Sequence, residues 1–207
     1  MTATGGIGRL AAWAGPRTAV RPAVRDTATC ELCPIGLGEN HRHLLDLEQR
    51  QIVCVCETCW SLRSGDAQFR PAGSRVLWLD HFELPDELWA AFRIPIGLTF
   101  IMRSGLTGGI VAQYPSMVGA TEAELDGAAW DELARVNPAL ERLETDAEAL
   151  IVNRLTDPAQ FAIAPIDRCY MLVGLIKANW DGISGGPRVP VVVREFFDGL
   201  RAQAIAA

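Results

Sequence analysis

Four cysteines in two Cys-x-x-Cys pairs are the residues of this chain whose types and spacing most clearly predict chemistry. The pairs are Cys30–Cys33 and Cys56–Cys59, and 22 residues separate them. Each pair can close a tight turn, called a knuckle below, that directs two sulfurs at one centre, and two facing knuckles form a tetrahedral cage of the kind that holds zinc or a single iron. We therefore predict a metal site with Cys30, Cys33, Cys56 and Cys59 as ligands. Reduced cysteines or a redox pair are the alternative.

Zinc is favoured over iron by the residues that follow each pair. In rubredoxin knuckles a glycine usually follows the second cysteine, and its backbone amide approaches the sulfurs. Pro34 and Trp60 occupy those positions in this chain. We predict zinc as the cofactor, with iron as the alternative. Four thiolates complete a zinc coordination shell, so the predicted site is structural and has no open catalytic position.

Three further potential ligands lie between the two pairs. Cys54 precedes Cys56 by two residues, which on a strand would place both side chains on one face. Cys54 could be an alternative ligand, a thiol beside the ligands or a packed apolar residue, and we favour packing. His41 and His43 also share a strand face, and a histidine could replace one sulfur. The roles of these three residues stay open.

The segment between the pairs is predicted to be a β-hairpin. Its strands are 41–47 and 51–55, the second rich in β-branched residues, and the polar residues 48–50 can form the turn. Such a hairpin lays the second knuckle beside the first.

A larger domain is predicted after an irregular linker over 63–74 that is rich in glycine and proline. Strands are expected at 76–79, 96–102, 109–114 and 161–164, and 147–152 fits either a strand or a helix. Helices are expected at 85–92, 121–125, 128–136, 167–179 and 189–204, with Asp167 as the cap of the fourth.

The fold class that follows is α+β, with a small zinc-ribbon or rubredoxin-like knuckle module joined to a larger mixed domain. The predicted divisions are a flexible basic leader over 1–28, the four-cysteine metal-binding module over 29–70 and the α+β domain over 75–207. The leader carries four arginines against one aspartate, and a docking arm is the alternative to a loose tail.

Composition restricts the function classes. The 207 residues carry a formal net charge of −6, which argues against a nucleic-acid partner because phosphates attract basic surfaces. No apolar stretch has the length of a membrane span, and the N-terminus lacks a signal-peptide core. We predict a cytoplasmic protein, in whose reducing environment paired cysteines favour metal over disulfide. The acidic stretch 121–157 is expected to be helical and could meet a basic partner surface.

The sequence either lacks the motifs of known enzyme classes or carries them without the neighbouring elements that they need. Residues 182–186 match Gly-x-Ser-x-Gly, but every histidine precedes them and a predicted helix, not a strand, leads into them. Cys169 lies beside an apolar helical stripe and is expected to be a core residue. Asp80, His81 and Glu83 lie close together and are expected to be surface polar groups. We predict that the chain is not an enzyme.

Three segments carry a resemblance to a known family: CELCPIGLGENHRHLLDLEQRQIVCVCETCW, PSMVGATEAELDGAAWDEL and PIDRCYMLVGLIKANWDGISGGPRVPVVVREFFDGLR. They resemble an uncharacterised bacterial domain-of-unknown-function family whose genes tend to sit in nickel–iron hydrogenase clusters. The resemblance implies an accessory protein for hydrogenase assembly or maturation that binds a hydrogenase subunit or a maturation factor. A rubredoxin-like electron carrier that serves a hydrogenase is the alternative. Trp130 and Trp180 would contribute affinity for a partner if they are exposed.

Overall fold

In the part of the chain that the structure describes, two antiparallel β-sheets and five α-helices form a mixed α+β fold, which confirms the α+β part of the prediction; the zinc-ribbon or rubredoxin-like module stays a prediction. The computed structural model describes residues 29–38, 41–49, 51–73, 75–116, 119–182 and 185–205. The predicted basic leader, 1–28, lies outside the described residues.

The smaller sheet contains the predicted hairpin and has the strand order β2-β1-β3. Its elements are β1 (Arg42–Asp46), β2 (Gln51–Val55), α1 (Glu57–Arg63) and β3 (Phe69–Pro71). β1 pairs with both neighbours, with His43 opposite Cys54 and Leu45 opposite Arg70. The prediction of an irregular linker over 63–74 was therefore wrong in part, because β3 uses the free edge of β1 for backbone hydrogen bonds.

The larger sheet has the strand order β4-β9-β8-β5-β6-β7. Its strands are β4 (Leu77–Trp78), β5 (Leu98–Arg103), β6 (Ile110–Ser116), β7 (Gly119–Glu124), β8 (Glu148–Asn153) and β9 (Gln160–Pro165). Its helices are α2 (Asp86–Ala91), α3 (Gly127–Val136), α4 (Ile166–Ala178) and α5 (Arg188–Gln203), with a 3-10 helix at Pro138–Arg142. The ambiguous segment 147–152 is thus a strand, and every residue of β8 is buried.

Two apolar cores lie on opposite faces of this sheet, as side-chain alternation along a strand requires. Ile151 packs with α4 and α5 on one face, whereas Leu150 packs with α2 and α3 on the other. Trp130 belongs to the second core and is only 2% exposed, so it cannot contact a partner. Trp180 is partly buried against the first core.

The helix predicted over 121–125 is wrong, because this segment lies in strand β7. Its residues pair with β6 in one continuous antiparallel register, from Val111 opposite Glu124 to Ser116 opposite Gly119. Exposure alternates along β7 as expected for an edge strand with one face on the protein. Pairing with β6 outweighs the helical composition of the segment. The acidic stretch 121–157 is consequently mixed strand and helix instead of helical.

Asp167 does not cap α4 as predicted. The helix begins at Ile166, directly after Pro165, and Asp167 lies in its first turn. One carboxylate oxygen accepts a 2.8 Å hydrogen bond from the Arg168 amide. The other oxygen contacts His43 of the smaller sheet at 2.7 Å.

Backbone and side-chain contacts join the two sheets. Leu45 of β1 is buried in the core that α4 and α5 share. The Ala72 amide donates to the His43 carbonyl, and the Gly73 amide donates to the Ala147 carbonyl. Arg75 then forms two hydrogen bonds of 2.7 and 2.8 Å to Glu148, which is only 1% exposed. The division into modules over 29–70 and 75–207 stays a prediction.

Among the described residues, no helix combines the length and the apolar character needed to cross a membrane.

Candidate metal centre

The four predicted cysteines lie together. The sulfur atoms of Cys30, Cys33, Cys56 and Cys59 are all within 4.8 Å of one another, and those of Cys33 and Cys56 are 3.7 Å apart. A zinc tetrahedron with bonds of about 2.3 Å has sulfur–sulfur edges of about 3.8 Å. The four-sulfur set therefore fits a tetrahedral metal ion in both donor chemistry and spacing.

Local backbone structure positions each knuckle. In the first, the Cys30 amide donates to the Ile35 carbonyl at 2.8 Å, which closes the turn that carries Cys33. In the second, Cys56 is the N-cap of α1, and its sulfur accepts a 3.4 Å hydrogen bond from the Cys59 amide. The Cys56 amide in turn donates to the Cys30 sulfur at 3.4 Å. The Cys56 and Cys59 amides stabilise negative charge on the sulfurs of Cys30 and Cys56, as a bound metal ion requires.

Without a metal ion, Cys30 and Cys59 of this cluster do not ionise alike. Burial opposes ionisation of Cys30, but amides of Cys56 and Leu32 and the neighbouring thiols lower its pKa to about 6. Burial and the thiols of Cys33 and Cys56 raise the pKa of Cys59 to about 12. One thiolate in the cluster thus discourages the next. A cation removes that repulsion, so metal binding would displace the remaining protons.

A small apolar core supports the cysteine cluster. Leu44 of β1 and Val53 and Val55 of β2 are buried on the face that meets Cys30, and Phe69 of β3 closes the core. Few residues are buried here, so burial alone supplies little stability to this sheet. That is the setting in which a structural metal usually contributes to folding.

The structure separates Cys54 from the four-sulfur cluster. Cys54 lies on β2, but Cys56 lies beyond its end, where the chain turns into α1. The expected shared face of Cys54 and Cys56 is therefore absent. A ligand atom of Cys54 instead lies within 4.8 Å of ligand atoms of His41 and His43. Neither histidine joins the four sulfurs.

The His41–His43 pair is held by acceptors at both ends. His43 Nδ1 lies 2.7 Å from Asp167 Oδ2, and His41 Nδ1 lies 2.9 Å from the Gly38 carbonyl oxygen. The two Nε2 atoms face each other at 3.1 Å. Hydrogen bonds to Asp167 and Cys54 raise the pKa of His43 to about 9. Asp167 was predicted only as a helix cap, and nothing in the local sequence around it indicates a contact with β1.

The other described residues that were considered for chemistry from the sequence are either buried in the core or exposed on the surface, apart from the cysteine cluster. Cys169 is fully buried, as expected, and burial raises the pKa of its thiol well above the usual value. Asp80, His81 and Glu83 are exposed, as expected. Residues 183 and 184 of the Gly-x-Ser-x-Gly match lie outside the described residues, and helix α4 precedes that match.

Comparison with known proteins gives a family and no function. No curated protein and no solved structure matches the chain. A family model described as "Family of unknown function (DUF5947)" matches residues 29–204, from just before the first cysteine pair to the end of the last helix. Since the match covers both sheets and all the helices described above, this chain belongs to the DUF5947 family of unknown function.

Proposed function

We propose that this chain is a cytoplasmic accessory protein for nickel–iron hydrogenase assembly or maturation, and that a zinc ion in the cysteine cluster stabilises its smaller sheet. It acts by binding a protein partner, either a hydrogenase subunit or a maturation factor. The observation that carries the metal part is the convergence of the Cys30, Cys33, Cys56 and Cys59 sulfurs within 4.8 Å. The hydrogenase setting is supported by the sequence resemblance alone.

Zinc is supported over iron by Pro34 and Trp60, which stand where rubredoxin knuckles usually carry glycine, and a structural role is supported by the closed donor set. Four thiolates leave no position for a substrate, and the cluster lies beside a core too small to stabilise three short strands unaided. Iron in the same site remains the alternative, and one observation favours it. Amide hydrogen bonds to Cys30 and Cys56 are the contacts that tune the potential of iron–thiolate centres.

Binding to a basic partner surface is supported by exposed carboxylates of the larger domain. Within 121–157 the exposed acidic residues are Glu122, Glu124, Asp126, Asp131, Glu132, Glu141, Glu144 and Asp157. Asp146 and Glu148 are buried and serve the fold instead. Charge complementarity of this kind chiefly speeds and orients docking.

Metal analysis of purified protein tests the site. We expect about one metal ion per chain to be lost in the Cys33→Ser/Cys59→Ser double variant, measured by elemental mass spectrometry on the same sample as its absorption spectrum. A colourless wild type with zinc supports the proposal, and a red protein with iron supports the electron-carrier alternative. The control is His81→Ala, which removes an exposed histidine outside the cluster. Full metal content in the double variant contradicts the site.

Gene deletion tests the biological role. In a host that makes the hydrogenase, we expect deletion to lower the amount of processed, active enzyme while its transcript is unchanged. Complementation with the Cys33→Ser/Cys59→Ser variant should fail, whereas complementation with His81→Ala should succeed. Normal hydrogenase processing, activity and electron delivery in the deletion strain would contradict both the assembly role and the electron-carrier alternative.

A further inference from the structure

The hairpin carries a second set of metal-binding side chains, distinct from the four-sulfur cluster. Val53 and Val55 are buried in the small core beside the cluster, whereas Cys54 is only partly buried at the edge of that core and its sulfur lies near His41 and His43. His43 lies directly across the strand pair from Cys54, and His41 is two residues earlier on the same face as His43. Two imidazoles and a thiol therefore converge on the side that faces α4.

If both rings are neutral, the hydrogen bonds of the two histidines leave both Nε2 atoms as acceptors. The carbonyl oxygen of Gly38 and the carboxylate of Asp167 can only accept, so each Nδ1 must carry the donated proton. In neutral imidazoles the two Nε2 lone pairs would then face each other at 3.1 Å, which is repulsive. A cation between them removes the repulsion. A proton is the smallest cation that can do so, and a metal ion is the other.

We propose that His41, His43 and Cys54 form a second metal site, which binds a divalent ion such as Zn²⁺ through two Nε2 atoms and one thiolate. The spacing supports it, because two nitrogens at about 2.05 Å from a tetrahedral zinc are about 3.3 Å apart, close to the 3.1 Å observed. The donor set is of the mixed nitrogen–sulfur type that borderline divalent metals prefer.

Asp167 acts as the positioning residue of this site. Metal-binding histidines usually donate their second ring N–H to a carboxylate or a backbone carbonyl, which fixes the tautomer and the ring orientation. His43 makes the first kind of contact, to Asp167 at 2.7 Å, and His41 makes the second, to Gly38 at 2.9 Å. Because Asp167 lies on α4, the site also joins the smaller sheet to the larger domain.

The second site differs from the first in being open. Three protein ligands leave one tetrahedral position for water or another exchangeable ligand, as in catalytic zinc sites. His41, His43 and Cys54 all line a surface groove of about 990 Å³, together with Tyr170 and Arg168 of α4. A small ligand can therefore reach an ion bound there, whereas the four-sulfur site has no free position.

Zinc stoichiometry is the direct test, with zinc alone as the probe. Full-length protein saturated with zinc and then desalted is expected to hold two ions per chain. Cys54→Ala and His41→Ala should each hold one. The matched control, His81→Ala, should hold two. His41 is partly exposed, so its replacement gives a variant that folds even if Cys54→Ala does not, and circular dichroism checks both.

X-ray absorption at the zinc edge identifies the ligands. The wild type should show sulfur and nitrogen neighbours, and Cys54→Ala should show sulfur alone. Asp167→Ala is expected to weaken zinc binding at the second site by roughly 10–100-fold, measured by competition with a chelator, and to leave the four-sulfur site unchanged.

Two outcomes would overturn the proposal. One is a wild type that holds a single ion with sulfur-only coordination and is unaffected by His41→Ala and Cys54→Ala, which would mean that a proton alone occupies the histidine pair. The other is loss of that single ion in Cys54→Ala, which would place Cys54 in the four-sulfur site. Neither result bears on the proposed hydrogenase role, which the deletion experiment tests separately.

Discussion

Single side chains of the same type have very different chemistry in this protein. Cys30 and Cys169 are both buried. Amides and thiols surround Cys30 and lower its pKa to about 6, whereas Cys169 lies in the apolar core beneath α4 and its pKa is well above the usual value. Surroundings, and not burial alone, decide which thiol can become a metal ligand.

Cys169 is therefore expected to resist alkylation in the native protein. A pulse of N-ethylmaleimide at pH 8 should modify it at least roughly 10³-fold more slowly than an exposed thiol, because core residues react only after an opening that costs about 5 kcal/mol or more. Raising the pH from 8 to 9 should speed this slow reaction only about threefold, as for an exposed thiol of pKa about 8.5, because labelling occurs from the opened state. The folded, buried thiol contributes nothing, since its pKa is raised well above the usual value.

Peptide mass spectrometry measures the extent of modification at each cysteine. The same pulse in denaturing urea is the control and should label Cys169 fully. Labelling of native Cys169 at the rate of partly exposed Cys54 in metal-free protein would show that the core around α4 opens readily.

Residue types and spacing predicted the four-cysteine set but not the second cluster. The two Cys-x-x-Cys pairs need only a hairpin between them to bring the two knuckles together. The contact of His43 with Asp167 joins residues 124 positions apart in the chain, so it depends on the packing of α4 against β1. Local sequence carries no information on that packing.

At the scale of elements, a one-residue shift in the hairpin turn decides which side chains meet. A turn over 48–50, as predicted, would place Leu47 opposite Gln51, whereas the structure pairs Asp46 with Gln51. The Asp46 carboxylate accepts 2.9 Å hydrogen bonds from the amides of Glu48 and Gln49, and these end the strand one residue early. The resulting register places His43 opposite Cys54.

Most strands and helices of the larger domain were predictable because their apolar periodicity agrees with their burial. α5 is an example, since its apolar residues recur at helical spacing and are the ones buried in the structure: Val192, Val193, Phe196, Phe197 and Leu200. β7 was not predictable in this way. Its composition favours a helix. It forms a strand because it pairs with the edge of β6, and this tertiary pairing outweighs the local helix propensity of the segment.

The ion pair between Arg75 and Glu148 is expected to anchor the segment that precedes β4 to strand β8. Arg75→Ala should lower the free energy of unfolding by about 3 kcal/mol, because it leaves the buried Glu148 carboxylate without its partner. The estimate takes the low end of the usual range, since the Arg75 side chain is 31% exposed. Urea denaturation followed by circular dichroism measures the change.

Asp80→Ala is the matched control for that experiment. This substitution breaks the ion pair of Asp80 with Arg201, in which the Asp80 side chain is 63% exposed and the Arg201 side chain 65% exposed. It should lower the free energy of unfolding by less than about 1 kcal/mol. Equal losses of unfolding free energy in the two variants would show that the burial of Glu148 does not make its contact with Arg75 stronger than an exposed ion pair.

At the scale of the whole molecule, the two sheets differ in how much core each one has. The larger sheet is covered by apolar clusters on both faces, while the smaller sheet buries Leu37, Leu44, Val53, Val55 and Phe69 beside Cys30. Helix α1, which carries Cys59, has no buried residue. Bonds from the four cysteines to a metal ion would therefore add to the few protein contacts that hold α1 and the first knuckle in place, such as the packing of Trp60 on the small core, while Leu45 fixes β1 to the larger core.

Metal removal is therefore expected to destabilise the smaller sheet and its knuckles but not the larger sheet. After treatment with a strong chelator, amide hydrogen exchange should speed up in residues 30–37 and 56–63, since structural zinc supplies about 10–16 kcal/mol in small zinc modules. Exchange in β8, β9 and α4 should be unchanged, because apolar burial stabilises them. β1 should show an intermediate change, because Leu45 packs on the larger core but Leu44 packs on the smaller one.

Exchange measured by mass spectrometry resolves these segments, and added zinc should restore protection. The Cys33→Ser/Cys59→Ser variant is the control, because its 56–63 segment should already exchange quickly and should not respond to the chelator. Equal loss of protection in β8 and α1 would mean that the sheets unfold as one cooperative unit. Unchanged protection in α1 would mean that protein contacts alone hold the knuckles. Only the uneven response is expected if the cysteine cluster stabilises the smaller sheet and the apolar cores stabilise the larger one.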